Sequence, residues 1–390
     1  MTIPAVLGGS PAFPDGVPFA RPLVPPLDLV VSRLAPSYER GMLTNGPLVA
    51  ELEERAAAYL GVDHVVAVSS CTNGLILALQ ALEPGGPVVL PSFTFSASAH
   101  AVAWNGLEPR FVECDSATFQ IDVADASRRL EGASAVMATH VFGAPCPIEE
   151  VEALGQGAGI PVVFDAAHGF GAVHAERRVG SGGAAEVFSL SPTKIVVAGE
   201  GGLVATNRAD LAEHVRLGRD YGNPGDYDTR FVGLNARMSE LHAALALSSL
   251  DGVEDHLARR RTVAAHYRAA LSSIPGLVPQ AIDPSDLSTC KDFTITVEED
   301  EYGLARDLVV RALDAEGIDT RCYFDPPVHR QRAYAHAQPA VLPVTDRVSS
   351  GVVSLPMFAE LELHDVDTIA ETLHALHGAA PEVRNASDRC

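Results

Sequence analysis

Lys194 sits where a lysine is hard to hydrate. In Glu-Val-Phe-Ser-Leu-Ser-Pro-Thr-Lys-Ile-Val-Val-Ala-Gly-Glu-Gly-Gly, residues 186–202, it is followed directly by Ile195, Val196 and Val197. Burial disfavours the charged ammonium and lowers its pKa toward the nucleophilic neutral amine, the state a Schiff-base lysine needs. The plainer alternative is a lysine that snorkels out of a strand end with its head in water. Val187, Phe188 and Leu190 predict a buried strand that ends at Pro192, after which Gly199, Gly201 and Gly202 allow a sharp turn.

Four more places carry side chains suited to one shared chemistry. Ser69-Ser70-Cys71-Thr72-Asn73-Gly74 follows an apolar strand and opens a helix, so its first amides offer free N–H groups to an anion such as a phosphate. A simple Ser N-cap explains the same residues more modestly. In Pro91-Ser92-Phe93-Thr94-Phe95 an aromatic after a strand is placed to lie on a planar ring, although a lone Phe is usually core. Asp165, closing the run Val-Val-Phe-Asp, is costly to ionise there unless a cation such as a protonated ring nitrogen meets it. His168, three residues on, either reaches the ring's phenolic oxygen or caps a turn, and Ser189 adds a hydroxyl for the phosphate. A phosphate cradle, a stacking aromatic, a carboxylate for a ring nitrogen and a buried lysine together describe a site for pyridoxal 5′-phosphate.

The elements that must position these residues alternate. Strand-like runs Val65–Val68, Val88–Leu90, Arg110–Val112, Ala135–Thr139, Val162–Phe164, Val187–Leu190 and Leu203–Ala205 are separated by helical stretches such as Gly74–Leu82 and Ile148–Gly155. That pattern predicts an α/β domain with a mainly parallel sheet whose ligands gather at the carboxyl ends of the strands. Glu51–Leu60 reads as a helix with acids in its first turn, stopped by Gly61. A long helical run from Asn235 to Leu271 precedes a second α+β section built from Phe293–Val297, Leu304–Ala315, Asp319–Tyr323, Val352–Leu355 and Asp365–Leu376. The organisation expected is an extended, proline-rich arm over residues 1–36 and a large domain over 37–255. A small C-terminal α+β domain over 256–378 and a frayed tail over 379–390 complete it.

Composition narrows the partners. At 390 residues and 47% hydrophobic content the chain can bury a large core, and a formal charge of −22 argues against nucleic acid or an anionic membrane. Six scattered cysteines form no C-x-x-C pair, which speaks against zinc and a disulfide framework and for reduced thiols in a cytoplasm. No metal site is expected. No apolar run reaches the length of a membrane span, and no secretory leader is expected from the first residues.

With those residues in view the sequence resembles the DegT/DnrJ/StrS family of sugar aminotransferases, which share the aspartate aminotransferase type of fold. The similarity runs from Thr44-Asn45-Gly46-Pro47 to the Leu-Pro-Met segment at Leu355, through Ser70–Leu75, Pro91–Phe95, Asp165–His168, Ser189–Lys194, Gly199–Gly202 and Gly233–Glu240. The resemblance implies a seven-stranded, mainly parallel sheet domain in which Lys194 forms the imine with the cofactor, Asp165 pairs with its ring nitrogen and Phe95 stacks on the ring. It places His168 at the phenolic oxygen and Ser70, Cys71, Thr72 and Ser189 around the phosphate. Asn235 and Arg237 are expected to complete that pocket from the neighbouring subunit of a homodimer with shared active sites. Cys71 and Gly74 stand where the family usually has Gly and Ala, so adjusted packing is expected there.

The reaction implied moves an amino group from L-glutamate or L-glutamine to a keto sugar, one attached to a nucleoside diphosphate, in deoxyamino-sugar or natural-product biosynthesis. Thr44, Asn45, Arg219, Arg230, Tyr323 and His329 are the candidate substrate contacts, with Arg321, Arg330 and Arg332 as further cations. Solvated surface arginines are the plain alternative for each cation. A keto cyclitol is the second substrate class. A sugar dehydratase on the same fold is disfavoured because that branch carries histidine at the lysine position, and a non-catalytic cofactor-binding regulator is disfavoured by the retention of lysine, acid and cradle together.

Overall fold

The computed structural model describes residues 3–335 and 340–387, and a seven-stranded sheet lies at its centre. The strand order is His64–Val68, Gly202–Thr206, Ala185–Ser189, Val162–Asp165, Ala135–Thr139, Val88–Pro91, Pro109–Val112. Gly202–Thr206 runs antiparallel to both of its neighbours, while the remaining pairs are parallel. All seven apolar runs expected from the sequence are therefore strands of one mainly parallel sheet.

Alternate residues of each strand feed separate cores. Val65 and Ala67 join one apolar cluster with Val136 and Ala138, whereas Val66 and Val68 join another with Ala135 and Met137, so both faces of the sheet are covered. A third cluster is built on the antiparallel strands Leu277–Pro279, Phe293–Val297 and Val352–Leu355, packed by Arg306–Ala315 and Leu363–Gly378. The helix Val253–Leu271 serves both. Val253 and Leu257 sit in the sheet core, and Val263, Ala264, Tyr267 and Leu271 sit in the third cluster.

Several sequence expectations need correction. The arm of residues 1–36 is not extended throughout, because Leu27–Glu39 is a helix. Prolines crowd residues 4–26 but leave Leu27–Ala35 free, Pro26 occupies the N-cap, and Pro36 falls late enough that only one helical hydrogen bond is lost. Val30 and Leu34 pack on the sheet core, and Arg33 pairs with Asp251 at 2.9 Å. Upstream, the arm lies over its own chain: Ala5 and Ala12 donate their amides to Glu316 at 2.6 and 2.8 Å, and Val17 bridges to Ile318.

The run from Asn235 to Leu271 is two helices, Glu240–Leu250 and Val253–Leu271, interrupted at Gly252. The helix ending at Leu60 begins earlier than expected, at Pro47, so its acids lie beyond the first turn. Asp319–Tyr323 contributes an isolated bridge, Arg321 to Ser354, in place of a strand. The tail folds as the helix Ala380–Ser387, with Ala380 and Val383 buried in the third cluster, and residues 388–390 lie outside those described.

Candidate active site

Four strand ends and two later segments, Lys291–Asp292 and Tyr323–Phe324, enclose a cleft of about 350 Å³. Ser70, Cys71 and Thr72 follow the strand His64–Val68, Phe95 follows Val88–Pro91, and Asp165 and Ser189 are the last residues of their strands. Lys194, His168 and Tyr323 line the same cavity. The carboxyl-end placement expected from the alternating pattern is thus realised, and the lysine head does not point into open solvent.

One end of the cleft is built from backbone. The helix Cys71–Leu82 starts there with Ser70 as its N-cap, whose hydroxyl accepts from the Asn73 amide at 3.2 Å. That bond is the modest reading of Ser70, and it leaves the Cys71 and Thr72 amides, at the first two helical positions, without intrahelical acceptors. Gly202 makes the approach possible, since a Cβ there would lie 2.6 Å from the Cys71 nitrogen. Ser189 Oγ accepts weakly from the Ser191 amide at 3.4 Å and lines the same cleft.

Cys71 and Gly74 adjust the packing beneath. The buried Cys71 thiol reaches the Val187 carbonyl at 3.5 Å, and a Cβ on Gly74 would meet Val187 Cγ1 at 2.7 Å and Val204 Cγ2 at 3.0 Å. Alanine gains about 1 kcal/mol of helix propensity, but overpacking two stiff, buried valines costs about 1–3 kcal/mol. Gly74→Ala is therefore expected to lower the urea midpoint and to weaken anion binding at the displaced helix start. An unchanged or raised midpoint contradicts the packing argument.

Also lining the cleft, Asp165, 3% exposed, accepts from Ser98 Oγ at 2.6 Å and from the Ala167 amide at 3.1 Å. Burial still raises its pKa, against the pull of those two donors and of Lys194. A carboxylate held this way is short of a cation. His168 is driven well below its usual range by burial, with the charges of Lys194 and Lys291 adding to the effect, so it is neutral. Its buried Nδ1 has no partner, while Phe142 stacks on the ring at 6.4 Å and Thr289 Oγ1 ties its carbonyl at 2.8 Å. Lys194 is pushed down to about 8, chiefly by burial and next by Lys291, with Asp292, Cys71 and Asp165 opposing.

Sequence reasoning missed part of the lining. Ser191, Thr193, Glu200, Phe324 and the pair Lys291–Asp292 all face the cleft. Lys291 Nζ lies 2.7 Å from Asp292 Oδ1, with both side chains almost fully buried. The available signal was a charged dipeptide immediately before the alternating strand Phe293–Val297, at a position where burial is forced by the strand that follows.

A sequence profile of the DegT/DnrJ/EryC1/StrS aminotransferase family matches residues 30–374. The chain belongs to this family. Its relatives include a protein of Escherichia coli named dTDP-4-amino-4,6-dideoxy-D-glucose transaminase, 29% identical, with 92% of this chain and 98% of the other covered. Another, from Acidithiobacillus ferrooxidans, is named UDP-N-acetyl-3-dehydro-alpha-D-glucosamine 3-aminotransferase and is 34% identical over 84% of this chain and 88% of its own. The crystal structure of DesI in the presence of its TDP-sugar product superposes with a TM-score of 0.92 at 36% identity, covering 99% of this chain and 98% of that one. The chain is thus a sugar aminotransferase of a pyridoxal-phosphate-dependent family, on that family's fold.

In this aminotransferase several expected substrate contacts lie elsewhere. Arg219 is buried and bonded to Glu53 and, at 2.7 Å, to the Ala67 carbonyl, so it ties a helix to the sheet edge. His329 is walled in, its Nδ1 2.7 Å from Ser92 Oγ and its Nε2 3.2 Å from Asp346 without hydrogen-bond alignment. Arg230 pairs with Asp226 and Asp228, Arg321 with Asp319 and Arg330 with Asp346, all on the surface, and Arg332 is exposed. None of these lines the cleft, and of the six candidates only Tyr323 does.

Thr44, Asn45, Asn235 and Arg237 are also absent from the lining of their own chain's cleft. Thr44 Oγ1 donates to the Met238 carbonyl at 3.2 Å, and Arg237 bonds Asp220 at 2.8 Å and Asn235 at 3.3 Å. The two segments are clamped together by Glu240. Its fully buried carboxylate accepts from Ser37 Oγ at 2.7 Å and from the amides of Gly46, Leu48 and Val49 at 3.0 Å each. No helix among the described residues is long and apolar enough to cross a membrane, and none of their His, Cys, Asp and Glu side chains groups as a metal site.

Proposed function

We propose that this aminotransferase holds pyridoxal 5′-phosphate on Lys194 and transfers the amino group of L-glutamate or L-glutamine to a nucleotide-linked keto sugar. The observation that carries the proposal is one cleft lined by a lysine amine pushed down to about 8, a buried carboxylate short of a cation and a helix start with free amides. The residues fit the cofactor: His168 Nδ1 is an unpartnered buried atom for the phenolic oxygen, and Phe95, 61% exposed, has its ring face free for stacking. When bound, the cofactor supplies an electron sink for the carbon whose hydrogen is removed.

The chain's own groups do the rest. Thr72, the Cys71 amide and Ser189 would hold the phosphate, and Asp165 would keep a proton on the ring nitrogen. Lys194 would be the group that takes the proton from the donor's α carbon and, in the reverse direction, returns one to the acceptor's carbon. A lysine near pH 8 is basic enough to take the proton and acidic enough to return it. Asn235, Arg237, Thr44 and Asn45 would serve the neighbouring subunit of a homodimer, since they do not reach their own cleft.

The relatives' names support a nucleotide-linked acceptor, while the absence of arginine among the described lining residues suits a keto cyclitol, which carries no diphosphate. One titration separates the two. The yellow protein is bleached with L-glutamate, freed of donor and offered nucleotide-linked keto sugars or keto cyclitols while the colour is followed. Return of colour with the nucleotide-linked sugars at the lower concentration is expected. Return with cyclitols alone overturns that acceptor, and a protein that glutamate never bleaches overturns the transfer reaction.

A further inference from the structure

The chain has 28 lysine and arginine residues, and two of them are lysines, Lys194 and Lys291. Both line the same cleft. The other 26 lysine and arginine residues are all arginine, so the compact, strongly hydrated ammonium occurs only at this cleft. Lys194 is taken by the cofactor in the reading above, on which the present inference rests. Among the described lining residues Lys291 is then the remaining lysine or arginine.

Its setting is unusual for a structural ion pair. The Lys291 side chain is 4% exposed and that of Asp292 2%, and a buried pair of this kind recovers its desolvation cost only when its remaining donors and acceptors are met. They are not. Asp292 Oδ2 is buried without a partner, and Lys291 Nζ has Asp292 Oδ1 as its hydrogen-bond partner. The pair is fixed by its backbone, with the Lys291 amide donating to the Phe142 carbonyl at 3.0 Å and Arg260 holding the Lys291 carbonyl at 2.6 Å. Lys291 lines the cavity, and its charge lies close enough to both Lys194 and His168 to depress their basicity.

An amino donor bound beside Lys194 would bring a carboxylate that must leave water inside this cavity, and a charge-assisted hydrogen bond is what makes that tolerable. We infer that Lys291 is the anchor for the carboxylate of the amino donor, with Asp292 as the counter-ion that holds the ammonium in place when the carboxylate is absent. Asp292 thereby competes with the incoming carboxylate. The two neighbours act in opposite directions on donor binding, whereas two halves of a purely structural pair would act in the same direction.

Succinate, a dicarboxylate with no amine to transfer, is the probe, and its binding to the cofactor-loaded protein is read by calorimetry. Lys291→Met is expected to raise its dissociation constant about 10- to 100-fold, the size of one charge-assisted hydrogen bond. Asp292→Asn is expected to leave it unchanged or lower it. In the same variants the L-glutamate concentration for half-bleaching should follow the succinate constants. A Lys291→Met constant within twofold of wild type, or equal weakening in both variants, overturns the inference. Retained yellow colour and an unchanged far-ultraviolet spectrum show that each variant has folded. Wild type that binds succinate through Lys291 but is never bleached by any amino donor would keep the anchor and sink the transfer reaction, so the two failures are distinguishable.

Discussion

Lys194→Ala is expected to abolish covalent capture of the cofactor by borohydride and to lower transamination by roughly four orders of magnitude, the upper range for a positioned proton-transfer group. Because the chain's other lysine is Lys291, the labelled peptide from wild type has two possible origins, and mass analysis of it decides between them. Label on Lys291, or turnover that survives the alanine substitution, refutes the role of Lys194. A second readout concerns stability. The amine is pushed down to about 8 in the fold and lies near 10.4 in an unfolded chain. Protonation thus favours unfolding, by on the order of 3 kcal/mol, with the full penalty present below about pH 8 and lost as pH rises through the unfolded value. Cofactor-free Lys194→Met should accordingly melt higher than cofactor-free wild type at pH 7, with the gap closing toward pH 10. A gap independent of pH argues that the amine is not buried.

Asp165→Asn carries the next largest effect. The amide keeps the size of the side chain, and with its oxygen on the Ala167 amide its NH2 can donate to Ser98 Oγ, but it cannot hold a proton on the ring nitrogen, and a loss of about 10³-fold in the half-reaction rate with glutamate is expected. Removal of the buried charge relieves a carboxyl already raised by burial, so the variant should be at least as stable as wild type. The sign of a second experiment is specific to the proposed role. A cofactor methylated on its ring nitrogen is permanently charged and should restore much of the lost rate in Asp165→Asn while doing little for wild type. Equal behaviour of the two proteins with that cofactor removes Asp165 from the ring nitrogen.

The residues that were legible in the sequence are those whose local context is extreme. A lysine before Ile-Val-Val, an aspartate closing Val-Val-Phe and a Ser-Cys-Thr opening a helix announce burial or free amides within a few residues, and the structure brings all of them to one cleft. The seven strands were legible for the same reason. Arg219 and His329 lie outside the cleft because they are held by remote partners: Glu53 precedes Arg219 by 166 residues and Ser92 precedes His329 by 237, and no local pattern distinguishes a paired arginine from a free one. The helix Leu27–Glu39 was lost by counting prolines without asking where the gaps between them fall. Lys291 and Asp292 stayed hidden because an adjacent pair of opposite charges usually marks a solvated loop, and only the tertiary fold turns this one inward.

Glu240 gives the fold a property that reaches beyond its own surroundings. One carboxylate grips the start of the helix at Pro47 through three amides and at the same time opens the helix that follows Arg237-Met238-Ser239. Thr44, Asn45, Asn235 and Arg237 consequently ride on a single splint. If they are lent to an adjoining protomer, loosening that splint would damage a reaction centre to which Glu240 does not itself belong, and mixing such a mutant with a Lys194 mutant would return activity to half of the hybrid's sites.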